Sequence, residues 1–246
     1  MADGKQDTTA DARLDGDLAA YTDEVQRALG PELTGLVLYG SAAGEDWIAG
    51  RSDVNLAVVV RRVTIATLDA LAPIVARWRS KGFALPLVVD VEWLDRSRDV
   101  FPMEIDDIRR QHRVLAGGDP FAALETGWSA LRRECEQEAR GKLLRLRALY
   151  LEHAATPAEV TRLLLESTKS FVILLRHALR LRGQSVPHRY AEVVDAGERT
   201  FGPMPAIRRL VAERARAEAG DPLHDLFATY LTDVERIVAA VDSLGA

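Results

Sequence analysis

Two short apolar runs, TGLVLYG (Thr34–Gly40) and VNLAVVV (Val54–Val60), constrain this chain more than any other feature. Each is too short and, in the second case, too rich in valine to be a helix. Each is bounded by glycine or polar residues, so each reads as a buried strand. A helical pattern precedes them, with Leu14, Leu18, Tyr21, Val25 and Leu29 at helix spacing until Gly30-Pro31 ends it. A second helix is predicted over Thr67–Trp78, with Pro73 either kinking it or marking a late start. Gly82 closes that helix, and FALPLVV (Phe83–Val89) is predicted as a third strand. A short helix about Trp93–Arg98 then leads to VFPMEI (Val100–Ile105), predicted as a fourth strand.

After Gly117-Gly118-Asp119-Pro120 the pattern becomes almost wholly helical. Trp128, Leu131, Cys135, Ala139, Leu143, Leu146 and Tyr150 form one apolar stripe. Thr156-Pro157-Ala158-Glu159 has the residue order of a capping box and opens a long helix expected to reach Gly183. Asp221-Pro222 is expected to open a last helix with Leu223, Leu226, Tyr230, Val234, Ile237 and Val241 on one face. Helices that each carry one apolar face can bury those faces against each other. The expected fold class is therefore α+β: a small mixed sheet flanked by helices, followed by an all-helical bundle. The expected division is a flexible tail over 1–12, a mixed domain over 13–118 and a helical domain over 119–246.

Composition narrows the function. The chain has 246 residues, 48% hydrophobic and 28% charged, which suits a globular protein. No run approaches the roughly 18–20 apolar residues of a membrane span. The polar, acidic start lacks a signal-peptide pattern. Cys135 is the single cysteine, and no Cys/His spacing suggests zinc. These features point to the cytoplasm and away from a membrane. A net charge of −5 makes nucleic acid an unlikely partner and favours a small molecule or a protein.

Chemistry is concentrated in Tyr39–Val60. Gly40-Ser41 ends the first strand, and Ser52-Asp53-Val54-Asn55 enters the second. Glycine lets the backbone turn and lets a phosphate approach without a Cβ in the way. Ser41 and the amides after it, if they begin a helix, can hold phosphate oxygens. Residues 53 and 55 lie two apart on a strand and so share a face.

This segment resembles the signature of the DNA polymerase beta nucleotidyltransferase superfamily, in which Gly-Ser is followed by Asp-x-Asp on the next strand. Aminoglycoside and kanamycin nucleotidyltransferases carry it, and the resemblance covers residues 30–117. It implies a nucleoside triphosphate, ATP or another, bound in a cleft between the two domains. Gly40, Ser41 and Arg51 would meet phosphates, although Arg51 reads equally well as a solvated loop residue. It also implies magnesium held by carboxylates. Here the pattern is broken. The second aspartate is Asn55, a neutral and weaker ligand, and the third aligns with Leu87. Asp90 reads better as the N-cap of the next helix. Glu104 is a candidate for the missing carboxylate, from a neighbouring strand, although Glu104, Asp106 and Asp107 also suit a helix N-terminus. Asp53 is thus the one clear metal ligand, enough for a single weakly held magnesium ion.

Two functions stay open: a nucleotide-binding protein with weakened or lost catalysis, serving sensing or assembly, or an active enzyme moving AMP from ATP to a small hydroxylated or protein acceptor. His177 and His188 read as ordinary surface or packing residues. Arg176, Arg180, Arg182 and Arg189 read as a solvated face, with the lining of a cleft as the alternative. The helical half resembles the substrate domains of kanamycin-type enzymes and the helical partners of minimal nucleotidyltransferases in toxin–antitoxin systems. A homodimer is compatible with the sequence.

Overall fold

The computed structural model describes residues 8–44, 46–50, 52–215 and 223–245. Arg51 and the Asp221-Pro222 pair lie outside them. The chain forms two compact units. The first runs to Arg98 and resumes over Glu104–Glu125; the second holds Asp99–Met103 and the chain from Thr126 on.

In the first unit, α1 (Thr8–Leu29) leads into β1 (Leu33–Tyr39), and β2 (Asn55–Val60) pairs antiparallel with it. The apolar periodicity showed α1 only from Leu14, because its first turns are polar. After β2 come α2 (Ile65–Arg79), β3 (Leu87–Asp90), α3 (Val91–Arg96), α4 (Pro102–Arg110) and β4 (His112–Gly117). The sheet order is β3-β2-β1-β4, with β3 parallel to β2 and β4 antiparallel to β1. The sheet is therefore mixed, as expected. α2 starts well before Pro73 and contains it; Thr64 caps the helix by accepting from Thr67 N.

Two expectations are corrected here. The segment Val100–Ile105 is not a strand: Pro102 opens α4, and Glu104 lies in its first turn. Proline suits the first helical turn, where an amide would lack a partner anyway. The fourth strand is instead His112–Gly117, on the outer side of β1.

Alternation along β1 and β2 sends side chains to two cores. Leu36, Leu38, Leu56, Val58 and Val60 pack with Leu18, Tyr21 and Val25 of α1 and Leu71, Ile74 and Trp78 of α2. An aromatic trio anchors this face: Tyr21 stacks on Phe83 at 5.2 Å, and Trp78 meets both rings. The opposite face joins Val37, Ala57, Val59 and Val89 to Leu94, Ile105, Ile108 and Phe121.

The second unit contains α5 (Trp128–His153), α6 (Pro157–Leu181), α7 (Tyr190–Phe201), α8 (Pro205–Ala215) and α9 (Phe227–Asp242). Its core gathers Cys135, Ala139 and Leu146 of α5, Leu164, Phe171 and Leu174 of α6, and Tyr230, Val234 and Ile237 of α9. α6 starts where the Thr-Pro-Ala-Glu sequence places it and ends at Leu181, just before Gly183. The Thr156 side chain makes no capping bond, and Glu159 pairs with Arg162 instead. The start of α8 is capped from another helix: Asp233 Oδ2 of α9 accepts from Ala206 N at 2.8 Å and Ile207 N at 3.0 Å. Glu198 Oε1 takes the Met204 amide at 2.9 Å, so the donors of that turn are satisfied. The arginines of α6 are not a solvated face, because Arg176 and Arg180 are buried. Arg182 reaches Ser243 Oγ at 3.3 Å and lies over the Phe201 ring. His177 is fully buried.

Candidate active site

One row across the sheet joins the end of β1 to Asn55 and to β4. Tyr39, the last residue of β1, faces Asn55 on β2 and His112 on β4. Gly40 follows with φ +75, a left-handed conformation that glycine adopts freely. A Cβ added to Gly40 would lie 3.1 Å from Asn55 Nδ2, so the Asn55 amide packs directly against the turn. This places Gly40 and Asn55 side by side.

Ser41 does not begin a regular helix. It lies in a 3-10 turn, Gly40–Ala43, which ends where Gly44 turns extended, its amide donating to Ser41 O at 3.0 Å. The Gln111 amide occupies the space a Cβ on Gly44 would need. The turn is thereby held between Asn55 and Gln111.

Asp53 is exposed and precedes β2. Val54, next to it, is buried on the α1–α2 face and bonds from its amide to Gly82 O at 3.0 Å. Asp53 also lines a cavity of about 630 Å³ with Arg13, Asp17, Trp47, Ser52 and Lys81. Gly40, Ser41 and Asn55 are not among that cavity's lining residues.

Leu87 pairs with Ala57, two residues beyond Asn55 on the same strand face. Its side chain packs against the cluster of Val37, Ala57, Val59 and Val89. The position is therefore filled with hydrocarbon. Asp90 caps α3, accepting from Trp93 N at 2.8 Å. Glu104 is exposed on α4, and its charge is felt at Tyr39: burial first, and then Glu104, push the Tyr39 phenol above its ordinary range.

Sequence reasoning did not single out Tyr39, Gln111 or His112. Tyr39 was visible as the neighbour of Gly40. His112 was hidden because its strand was not recognised. Its Nδ1 faces Ile108 O at 2.8 Å and its Nε2 faces Asp119 Oδ2 at 3.0 Å, which fixes the ring. Among the described residues no helix is long and apolar enough to cross a membrane.

No family profile and no curated protein matches this sequence. In shape the chain is similar to a spectinomycin adenyltransferase from Enterococcus faecialis, solved with ATP and spectinomycin. The TM-score is 0.60 at 12% sequence identity, over 92% of this chain and 99% of that one. At that identity the likeness establishes the fold, which is nucleotidyltransferase-like.

Proposed function

We propose that this chain binds a nucleoside triphosphate at the Gly40–Ser41 turn and that its nucleotidyl transfer is weakened or lost. The nucleotidyltransferase-like fold and its likeness to an adenyltransferase solved with ATP support nucleotide binding in general. The observation that carries the finer reading is the Asn55–Leu87 pair. A neutral amide packs against the turn, and a hydrophobic side chain stands where the resemblance would put a third carboxylate. Magnesium is a hard cation that prefers anionic oxygen and keeps part of its water shell. One carboxylate at Asp53 beside a neutral amide at Asn55 does not fit a two-ion centre, and would hold at most a single ion with Asp53 as its one anionic ligand. Such an ion, when bound, supplies charge neutralisation for the triphosphate. Gly40 admits the phosphates by its missing Cβ, and Ser41 donates to them. Arg51 is the further phosphate contact of this reading. A role in sensing or assembly follows, in the cytoplasm.

A second reading keeps catalysis, with AMP moved from ATP to a hydroxylated small molecule or a protein. The electrostatic reach of Glu104 to Tyr39, the residue beside Gly40, favours it. Glu104 would then supply from α4 the carboxylate that β3 lacks.

Calorimetric titration of ATP with and without magnesium tests the binding reading. Magnesium-dependent binding is expected, and Asn55→Asp should strengthen it by restoring one negative ligand. Absence of ATP binding in both proteins would sink the proposal. Steady pyrophosphate release from ATP by the unaltered chain, lost in Glu104→Gln, would establish the second reading in place of the first.

A further inference from the structure

Helix α5 has two apolar faces. One, through Leu131, Cys135, Ala139 and Leu146, is buried in the helical core. The other runs through Gly141, Leu144, Ala148 and Leu151, and all four are exposed. Leu144 is 66% exposed and Leu151 81%, the two largest aliphatic exposures in the second unit. The spacing of three, four and three is the seam of a heptad repeat, with small residues alternating with leucine. A lone exposed leucine needs no explanation, but a heptad seam opposite the buried face does.

We propose that this seam packs antiparallel against the same seam of a second copy of the chain, about a two-fold axis at Ala148. The small side chain of Ala148 lets the two helices approach closely where they cross. Reversal about that point brings Leu144 of one copy beside Leu151 of the other, within one residue's rise of about 1.5 Å. The charges on the flank match this arrangement. Arg145 and Glu152 lie a heptad apart on the same side of the seam, and both are exposed. Among the described residues neither has an ion-pair partner. In a two-fold antiparallel pair each flank meets itself reversed, so Arg145 faces the partner's Glu152 and Glu152 faces the partner's Arg145. One symmetry axis thus satisfies both charges twice.

The other flank carries Arg140 and Arg147, whose like charges would repel if bare. Each is already bridged within its own chain, Arg140 to Glu136 and Asp242, Arg147 to Glu235 at 2.7 Å. A parallel arrangement would instead set Arg145 beside Arg140 and Glu152 beside Arg147, both already bridged within their own chain, so neither Arg145 nor Glu152 would gain a free partner. Charge pattern therefore selects the antiparallel pair. The contact spans only the last turns of one helix, less than the roughly 800 Å² per partner of a standard interface. Association is accordingly weak and needs high concentration.

Sedimentation equilibrium of the full chain from about 5 to about 500 μM tests this range of affinity. The mean mass should rise from 27.1 kDa towards twice that value. Leu144→Glu, at an exposed site that leaves helix content unchanged by circular dichroism, should weaken association at least about tenfold. Arg145→Glu and Glu152→Arg should each weaken it, and the double variant should recover it. A monomer throughout the range, a dimer indifferent to Leu144→Glu, or a double variant no better than either single one would each overturn the proposal.

Discussion

Asp233 offers a test of how the helical unit is held together. Its Oδ2 takes both the Ala206 and Ile207 amides, and these residues are 1% and 0% exposed. Asp233→Ala leaves two amide donors at the start of α8 without a partner and without water. Loss of an N-cap costs about 0.5–2 kcal/mol, and a buried orphan donor about 1–3 kcal/mol. The expected loss for the pair is about 2–4 kcal/mol, below the simple sum because the two amides share one acceptor atom. Asp233→Asn should behave differently, since a single amide oxygen can accept both bonds. It also removes a charge that burial disfavours. Burial raises the Asp233 carboxyl above its usual 3.8, against the two amide bonds and Arg236, which lower it. A raised folded value means that this group's contribution is complete below pH 3.8 and is lost as pH rises through the folded value. The advantage of Asn over Asp should therefore grow from acid towards neutral pH. Urea denaturation followed by far-ultraviolet circular dichroism, at about pH 4 and pH 7, reads both effects. If Asn loses as much as Ala at neutral pH, the negative charge and not the acceptor geometry holds α8, and the reasoning fails.

Gly40→Ala should cost about 1–2 kcal/mol for its left-handed backbone and should also weaken ATP binding, because the new Cβ presses on Asn55. Gly30→Ala, at φ +50 with nothing within 4 Å, is the control: the same order of stability loss with ATP affinity unchanged. Equal ATP affinity in all three proteins by calorimetry would remove the turn from the site. Cys135 is fully buried, and burial together with Glu134 and Glu138 pushes its thiol up to about 12. It should resist Ellman's reagent in the native state and react fully in denaturant; prompt native labelling would contradict the packing of α5.

Legibility in the sequence followed the strength of the pattern. β1 and β2 were readable because both are apolar along their length, and Gly40 marked the end of β1 by composition. α6 was readable because Pro157 and a long apolar face agree. β4 was not, because it lies at the sheet edge and buries only Ala116, so no buried face marks it in the sequence. Its neighbour α4 failed for the complementary reason. Val100–Ile105 is a short apolar run that periodicity cannot assign, and only the position of Pro102 at the helix start decides it. Within the site, Asn55 and Leu87 could be named in advance because the resemblance supplied the places of the second and third carboxylates. Glu104 was named both as a strand carboxylate and as part of a helix N-terminus, of which the second holds, and the packing of Gln111 against Gly44 left no trace in the sequence at all.

The place of β4 has a consequence for biosynthesis. β1 lies inside the sheet, yet one of its two neighbours is made only after α2, β3, α3 and α4 have left the ribosome. Until His112–Gly117 emerges, a strand of leucine and valine shows a row of unpaired amides and carbonyls to its surroundings. Such an edge templates pairing with other nascent chains. A chain that stalls or is cut before residue 112 is thus not a smaller version of the fold but a seed for aggregation, and the interval between β3 and β4 is where a chaperone has most to do.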